Sequence, residues 1–168
     1  MPEPMFMKIV GVRSGEVSAG ALGPESVGRA SILSHQNKIQ VLQYESQFLL
    51  PSNPQTGQPS GRREHHGITV HKYFDKSSPD IHGMLATGEE LSSVTIEFWR
   101  IPPDGEEEQY FEIKAERCTL VNIRTYVPNV LDPLQRHMGH MEAVTFKYRK
   151  ISWTHKLAGT VRNDDWDR

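Results

Sequence analysis

Apolar and polar residues alternate with period two over four stretches of this chain. Val94, Ile96 and Phe98 alternate with Thr95 and Glu97, and Phe111, Ile113 and Ala115 with Glu112, Lys114 and Glu116. Val121, Ile123 and Thr125 alternate with Asn122 and Arg124, and Val144, Phe146 and Tyr148 with Thr145, Lys147 and Arg149. Each set offers one face to a core and one to water, which predicts strands. Past Tyr148 the phase slips, since Ile151 and Trp153 fall on the other parity. A β-bulge near Arg149–Lys150 would absorb the slip. Met5–Val12, Lys38–Leu50 and Ile68–Asp75 are further strands with less regular alternation.

One helix is signalled, over about 79–87. Ser78 is placed to cap it, Pro79 suits its first turn, and Asp80 favours the positive end of its dipole. Ile81, Met84 and Leu85 share a face at i, i+3 and i+4, and Gly88 ends the helix. Two to three turns cannot stand alone, so the helix must pack on the strands. No internal repeat or break in composition divides the chain, which predicts one domain over 1–168, mainly β.

Two loops matter. Pro102–Glu108, with its Pro-Pro-Asp-Gly start, is a tight polar turn between two strands. Pro51–Gly67 holds three prolines, three glycines and almost no apolar residues. A polar loop of that length between two long strands is functional or disordered. Its flanking strands would carry it out as a projecting arm, poised to touch another molecule. The candidate contact residues are Pro51, Asn53, Pro54, Gln55, Gly57, Gln58, Pro59, Ser60, Arg62 and Arg63. Arg62, Arg63 and Glu64 could make charge-assisted hydrogen bonds to a second surface.

Composition narrows the function classes. With 168 residues, 36% hydrophobic and 24% charged, the chain fits an ordinary soluble domain with a core of its own. The net charge of −2, from 19 basic and 21 acidic residues, lacks the basic excess of a nucleic-acid binder. The first residues, MPEPMFMKIVGV, have neither a basic start nor an apolar core, so no cleaved signal peptide is expected. No apolar run reaches membrane-spanning length, so no membrane insertion is expected. The protein should be made in the cytoplasm and, if exported, leave without a cleaved signal.

Candidate chemistry is sparse. The lone Cys118 sits inside an alternating stretch and reads as a small core residue; it excludes an intrachain disulfide and a cysteine zinc site. His65, His66 and His71 form a loose group, and His137 and His140 have HxxH spacing. Zinc needs three or four ligands in fixed geometry, and histidines in polar loops are usually solvated, so no metal or other cofactor is expected. Glu89–Glu90 and Glu106–Glu108 lie at a helix end and on a turn, with no sign of convergence on a pocket. Asp164 and Asp165, beside Trp166, read as a tail or docking segment. No GxSxG, P-loop or GxGxxG is present. A binding or structural protein that assembles with itself is therefore favoured, the rival being a small-ligand-binding or enzymatic β-barrel.

Two segments carry a resemblance. The arm reads PSNPQTGQPSGRREHH over Pro51–His66, and the C-terminal part reads FKYRKISWTHKLAGT over Phe146–Thr160, followed by Asp164, Asp165 and Trp166. SAGA at Ser18–Ala21, ESVG at Glu25–Gly28 and LATGEEL at Leu85–Leu91 add to them in order and spacing. The set resembles the haemolysin-coregulated protein (Hcp) family of type VI secretion systems. That resemblance implies two antiparallel sheets closed into a barrel-like body with one short helix and a projecting loop. It also implies a homo-hexameric ring, stacked rings that form an inner tube, a surrounding contractile sheath, a trimeric spike protein at the tip, and small effector proteins in the lumen. The stretch LDPLQRHMGH over Leu131–His140 matches no part of the pattern. Because the chain shows no fused toxin domain, cargo would be carried non-covalently.

Overall fold

The computed structural model describes residues 3–166. Ten strands run in the order β1 (Met5–Gly11), β2 (Gly15–Glu16), β3 (Ile39–Val41), β4 (Gln43–Leu49), β5 (Glu64–Tyr73), β6 (Glu90–Arg100), β7 (Glu108–Tyr126), β8 (Met141–Lys147), β9 (Lys150–His155) and β10 (Thr160–Asp165). A single helical turn, α1 (Pro24–Val27), precedes β3, and α2 (Ser78–Thr87) joins β5 to β6. All pairings are antiparallel, along the path β2-β1-β6-β7-β8-β5-β4, with β9 on β7 and β10 on β9. The mainly β architecture expected from the alternation is present, with its strands in one continuous array. No helix among the described residues is long and apolar enough to cross a membrane.

The array wraps around a core through two changes of partner. The first is in β7, whose 19 residues cover two predicted strands. One of its edges holds β6; the other holds β9 over Phe111–Glu116 and β8 over Thr119–Tyr126. Between the two, Arg117 takes φ 51°, and a bulge follows between Leu120 and Asn122. Each irregularity flips the inward parity. Ile113 and Ala115 point in, then Cys118 and Leu120, then Ile123. Val121, expected inside from simple alternation, is therefore exposed. The matching slip after Tyr148 is a strand break at residues 148–149 between β8 and β9. The second change is at Leu42. Ile39–Val41 pair with β1, Leu42 donates to the His71 carbonyl at 2.8 Å, and Gln43 onward pairs with β5. The predicted strand Lys38–Leu50 is thus two strands, and the segment brings the ends of the array together into a barrel-like body.

Inward residues follow period two. Met7 and Ile9, Ile68 and Val70, Val94 and Ile96, and Val144 and Phe146 line the core. Ile81 and Met84 of α2 close over it. Ser78 is the first residue of α2 and does not cap it; Ser77 holds the cap position, and its N–H is taken by Asp75 Oδ1 at 2.8 Å. Gly88 ends the helix in the left-handed region, as its sequence position predicts.

Under the first turn of α2, the inward face turns polar. Lys72 follows the parity of Ile68 and Val70, and Glu142 that of Val144 and Phe146; the two are cross-strand partners and fully buried. Lys72 Nζ bonds Glu142 Oε1, Ser78 Oγ at 3.1 Å and the Tyr73 carbonyl at 2.9 Å, and lies 3.2 Å from Asp75 Oδ1.

Gly67 shapes the way into the arm. It sits in β5 at φ 86°, opposite the register shift between Ser46 and Phe48. A Cβ there would lie 2.8 Å from the Phe146 carbonyl oxygen. Gly67→Ala should therefore strain the backbone and push β5 off β8, lowering stability by about 1–3 kcal/mol. A denaturant titration checks this, with a loss below about 0.5 kcal/mol contradicting it.

Candidate functional site: a projecting arm and its root

The polar loop is an ordered hairpin that holds itself together. Ser52 and Pro59 form a β-bridge, the Asn53 N–H donates to the Gln58 carbonyl at 2.8 Å, and the Ser60 N–H donates to the Pro51 carbonyl at 2.8 Å. At the tip, the Asn53 side chain accepts from the Gln55 N–H at 2.8 Å, and the Asn53 carbonyl accepts from the Gly57 N–H at 2.7 Å. Asn before Pro, with Gly57 at φ 72°, supplies the turn chemistry. Residues 52–64 are all exposed. The loop is shorter than expected, since β5 already begins at Glu64. Pro51, Asn53, Pro54, Gln55, Gly57, Gln58, Pro59, Ser60 and Arg62 lie together on this hairpin.

Arg63 does not. It turns back on its own chain and grips Asp164 with both arms of the guanidinium, Nε to Oδ2 at 2.6 Å and Nη2 to Oδ1 at 2.8 Å. Glu64 lies 3.4 Å from His66, and both are exposed. His65, expected to be a solvated loop residue, belongs to β5 and keeps only 6% of its side chain exposed. Its Nε2 lies 2.8 Å from Asp164 Oδ2, and its Nδ1 lies 2.7 Å from the Tyr148 hydroxyl. Phe48 stacks on the His65 ring at 4.3 Å and on Trp153 at 5.8 Å, and the Trp166 indole N–H donates to the Tyr148 carbonyl at 2.5 Å. Arg63, with His65 also contributing, holds the Asp164 carboxyl below its usual range against the opposing effect of burial. A lowered carboxylate pKa adds stability above the ordinary value, stability that is lost as pH falls through the lowered one, so the root is ionic at neutral pH. Burial pushes the Tyr148 hydroxyl up, so it stays a neutral donor.

The segment read as a tail is therefore strand β10, anchored at the root of the arm. Its sequence, TVRNDD, carries no apolar alternation, because the strand buries nothing in the core. The available signal was charge: an Arg pair at one end of the arm and an Asp pair near the C-terminus.

Several of the other candidate groups are engaged in structural contacts. His71 Nδ1 bonds the Tyr126 hydroxyl at 2.8 Å. Glu89 accepts from the Arg13 and Ser14 N–H groups, both at 2.7 Å, and these bonds hold its carboxyl below the usual range. Glu107 lies 2.9 Å from the buried His35, and Glu108 bonds Arg100 at 2.8 Å. Burial pushes the Cys118 thiol up to about 12, which makes it a poor nucleophile. Among the described residues no group of three or more His, Cys, Asp or Glu is placed to hold a metal ion. Residues 127–140, which join β7 to β8, leave Leu131 and Leu134 85% and 81% exposed, with Val127 and Val130 also outside.

The chain is similar to known proteins over nearly its whole length. The family model described as "Type VI secretion system effector, Hcp" matches residues 6–155. The Major exported protein of Pseudomonas aeruginosa is 38% identical over 166 residues, covering 99% of this chain and 96% of the relative. A crystal structure of an Hcp protein superposes with a TM-score of 0.94 at 32% identity, covering 98% of both chains. The secreted protein Hcp3 from Pseudomonas aeruginosa superposes at 0.84 with 32% identity, covering 98% of this chain and 99% of that one.

Proposed function

Because the chain belongs to the haemolysin-coregulated protein family of type VI secretion systems, we propose that it is a ring subunit of a secreted tube. Six copies, each one domain over 1–168, close into a ring, and rings stack through the arm. The observation that carries this reading is the arm itself: an ordered, exposed hairpin whose internal bonds hold its shape and which packs nothing against the core. A segment of this kind is preorganised to dock on another surface.

Two further features support assembly. Among the described residues β4 pairs only with β5 and β10 only with β9, so their outer edges carry no ladder there. Open edges are hazards that a ring can cover. Val127, Val130, Leu131 and Leu134, all in the connection from β7 to β8, are exposed apolar side chains of the sort that partners bury. A ring needs a heterologous contact, one surface meeting a different one, with a rotation that closes. Sheath, spike and small effectors are the remaining partners, the effectors held non-covalently in the lumen. The role is structural, with no catalytic step, and export is by the type VI system itself.

Native mass spectrometry at micromolar concentration tests the ring. The expected result is a species at six times the mass of the chain, and a spectrum of monomer alone would overturn it.

A further inference from the structure

We propose that β10, acting through Asp164, is the element that positions the arm, a role that rests on the arm being the stacking element. The arm's internal hydrogen bonds fix its shape but not its direction. Direction is set where its two legs leave the sheet. On the first leg, Phe48 stacks against His65 and Trp153. On the second, Arg63 and His65 converge on one carboxylate, which lies 101 residues from Arg63 in sequence.

Both oxygens of that carboxylate are engaged. Oδ2 takes Arg63 Nε at 2.6 Å and His65 Nε2 at 2.8 Å, and Oδ1 takes Arg63 Nη2 at 2.8 Å. Arg63 Nη2 also reaches the Asp165 carbonyl at 3.3 Å. A planar guanidinium bound at two points has its orientation fixed as well as its distance. Through His65 the tie runs to Tyr148, and through the Tyr148 carbonyl to Trp166, so the second leg is bound to the break between β8 and β9 and to the residue that follows β10.

A purely structural role fits β10 less well. It pairs with β9 alone, contributes no side chain to the core, and leaves Thr160–Asn163 exposed. The hydrogen bonds of its Asp164 side chain go to Arg63 and His65 at the root of the arm. Asp164 is thus a positioning residue for the arm.

The test uses full-length protein as unstacked rings, with Asp164→Asn and Asp164→Ala. Asn keeps the volume and one acceptor, so it guards against simple misfolding. Trypsin is added briefly under native conditions, and cleavage after Arg62 and Arg63 is followed by mass spectrometry. Cleavage in this regime tracks the population of the opened root. Cleavage should rise about tenfold for Ala and less for Asn, with the thermal midpoint close to that of the parent. Tube formation by the same samples, seen by electron microscopy, should fail for Ala. Unchanged cleavage in both variants overturns the proposal whatever the tubes do. Faster cleavage with normal tubes upholds the tie and overturns the arm as the stacking element.

Discussion

Removing Asn53–Ser60 and joining the stumps with a short turn leaves rings intact and abolishes tubes and secretion. The shortened hairpin loses the Asn53–Gln58, Asn53–Gly57 and Pro51–Ser60 bonds, all internal to the arm, and exposes no core residue. Closing a shorter loop changes chain entropy only slightly, so folding stability should move by no more than about 0.5 kcal/mol. The ring interface, made by the body, keeps its strands and their edges. The docking surface, by contrast, is deleted whole, and its prolines no longer lower the entropy cost of docking. Ring mass, tubes in electron micrographs and the protein found outside cells are three separate readouts. If stacked tubes persist, the arm is not the stacking element. If the protein falls to monomers, the arm belongs to the ring interface instead.

Legibility in the sequence followed burial. Where one face of a strand meets the core, as at Val94–Phe98 or Val144–Phe146, period two stood out and the strand was found. It failed where the parity flips: Arg117 and the bulge after Leu120 turn Val121 outward, and no residue type marks either irregularity. It failed again at β10, which has no buried face. The arm was visible because Pro and Gly punctuate it. Its root was not, since Arg63 and Asp164 meet only through the fold, and a strand that starts at Glu64 cannot be told from a polar loop. Histidine was the least legible type. His65 looks like a loop residue in sequence, and His71, inside the expected strand Ile68–Asp75, gives no sign of its partner, yet each bonds a tyrosine hydroxyl within the structure.

Substituting Lys72 should cost more stability than any change in the arm. The site beneath α2 holds one ammonium and two carboxylates, Asp75 and Glu142, with side chains 3% and 0% exposed. Lys72→Met removes the ammonium that both carboxylates share and leaves two acidic groups away from water, with the half-exposed His82, 3.9 Å from Glu142 Oε2, near one of them. Breaking a buried pair this way costs about 3–5 kcal/mol. Glu142→Leu should be milder, about 1–3 kcal/mol, because Lys72 keeps Asp75 at 3.2 Å, Ser78 Oγ and the Tyr73 carbonyl. It also removes Glu142 Oε2, a buried oxygen with no hydrogen-bond partner. The double variant Lys72→Met, Glu142→Leu replaces the pair with apolar groups of similar size and should recover much of the loss, since such exchanges are often neutral or stabilising. Asp75 then keeps its bonds to Ser77 at the start of α2. At about 2–4 °C per kcal/mol for a chain of this size, Lys72→Met should lower the melting midpoint by about 10 °C. The comparison must be made at one protomer concentration, because ring assembly shifts the midpoint. If Lys72→Met costs less than Glu142→Leu, or the double variant is worse than both, the ion pair does not govern the seating of α2.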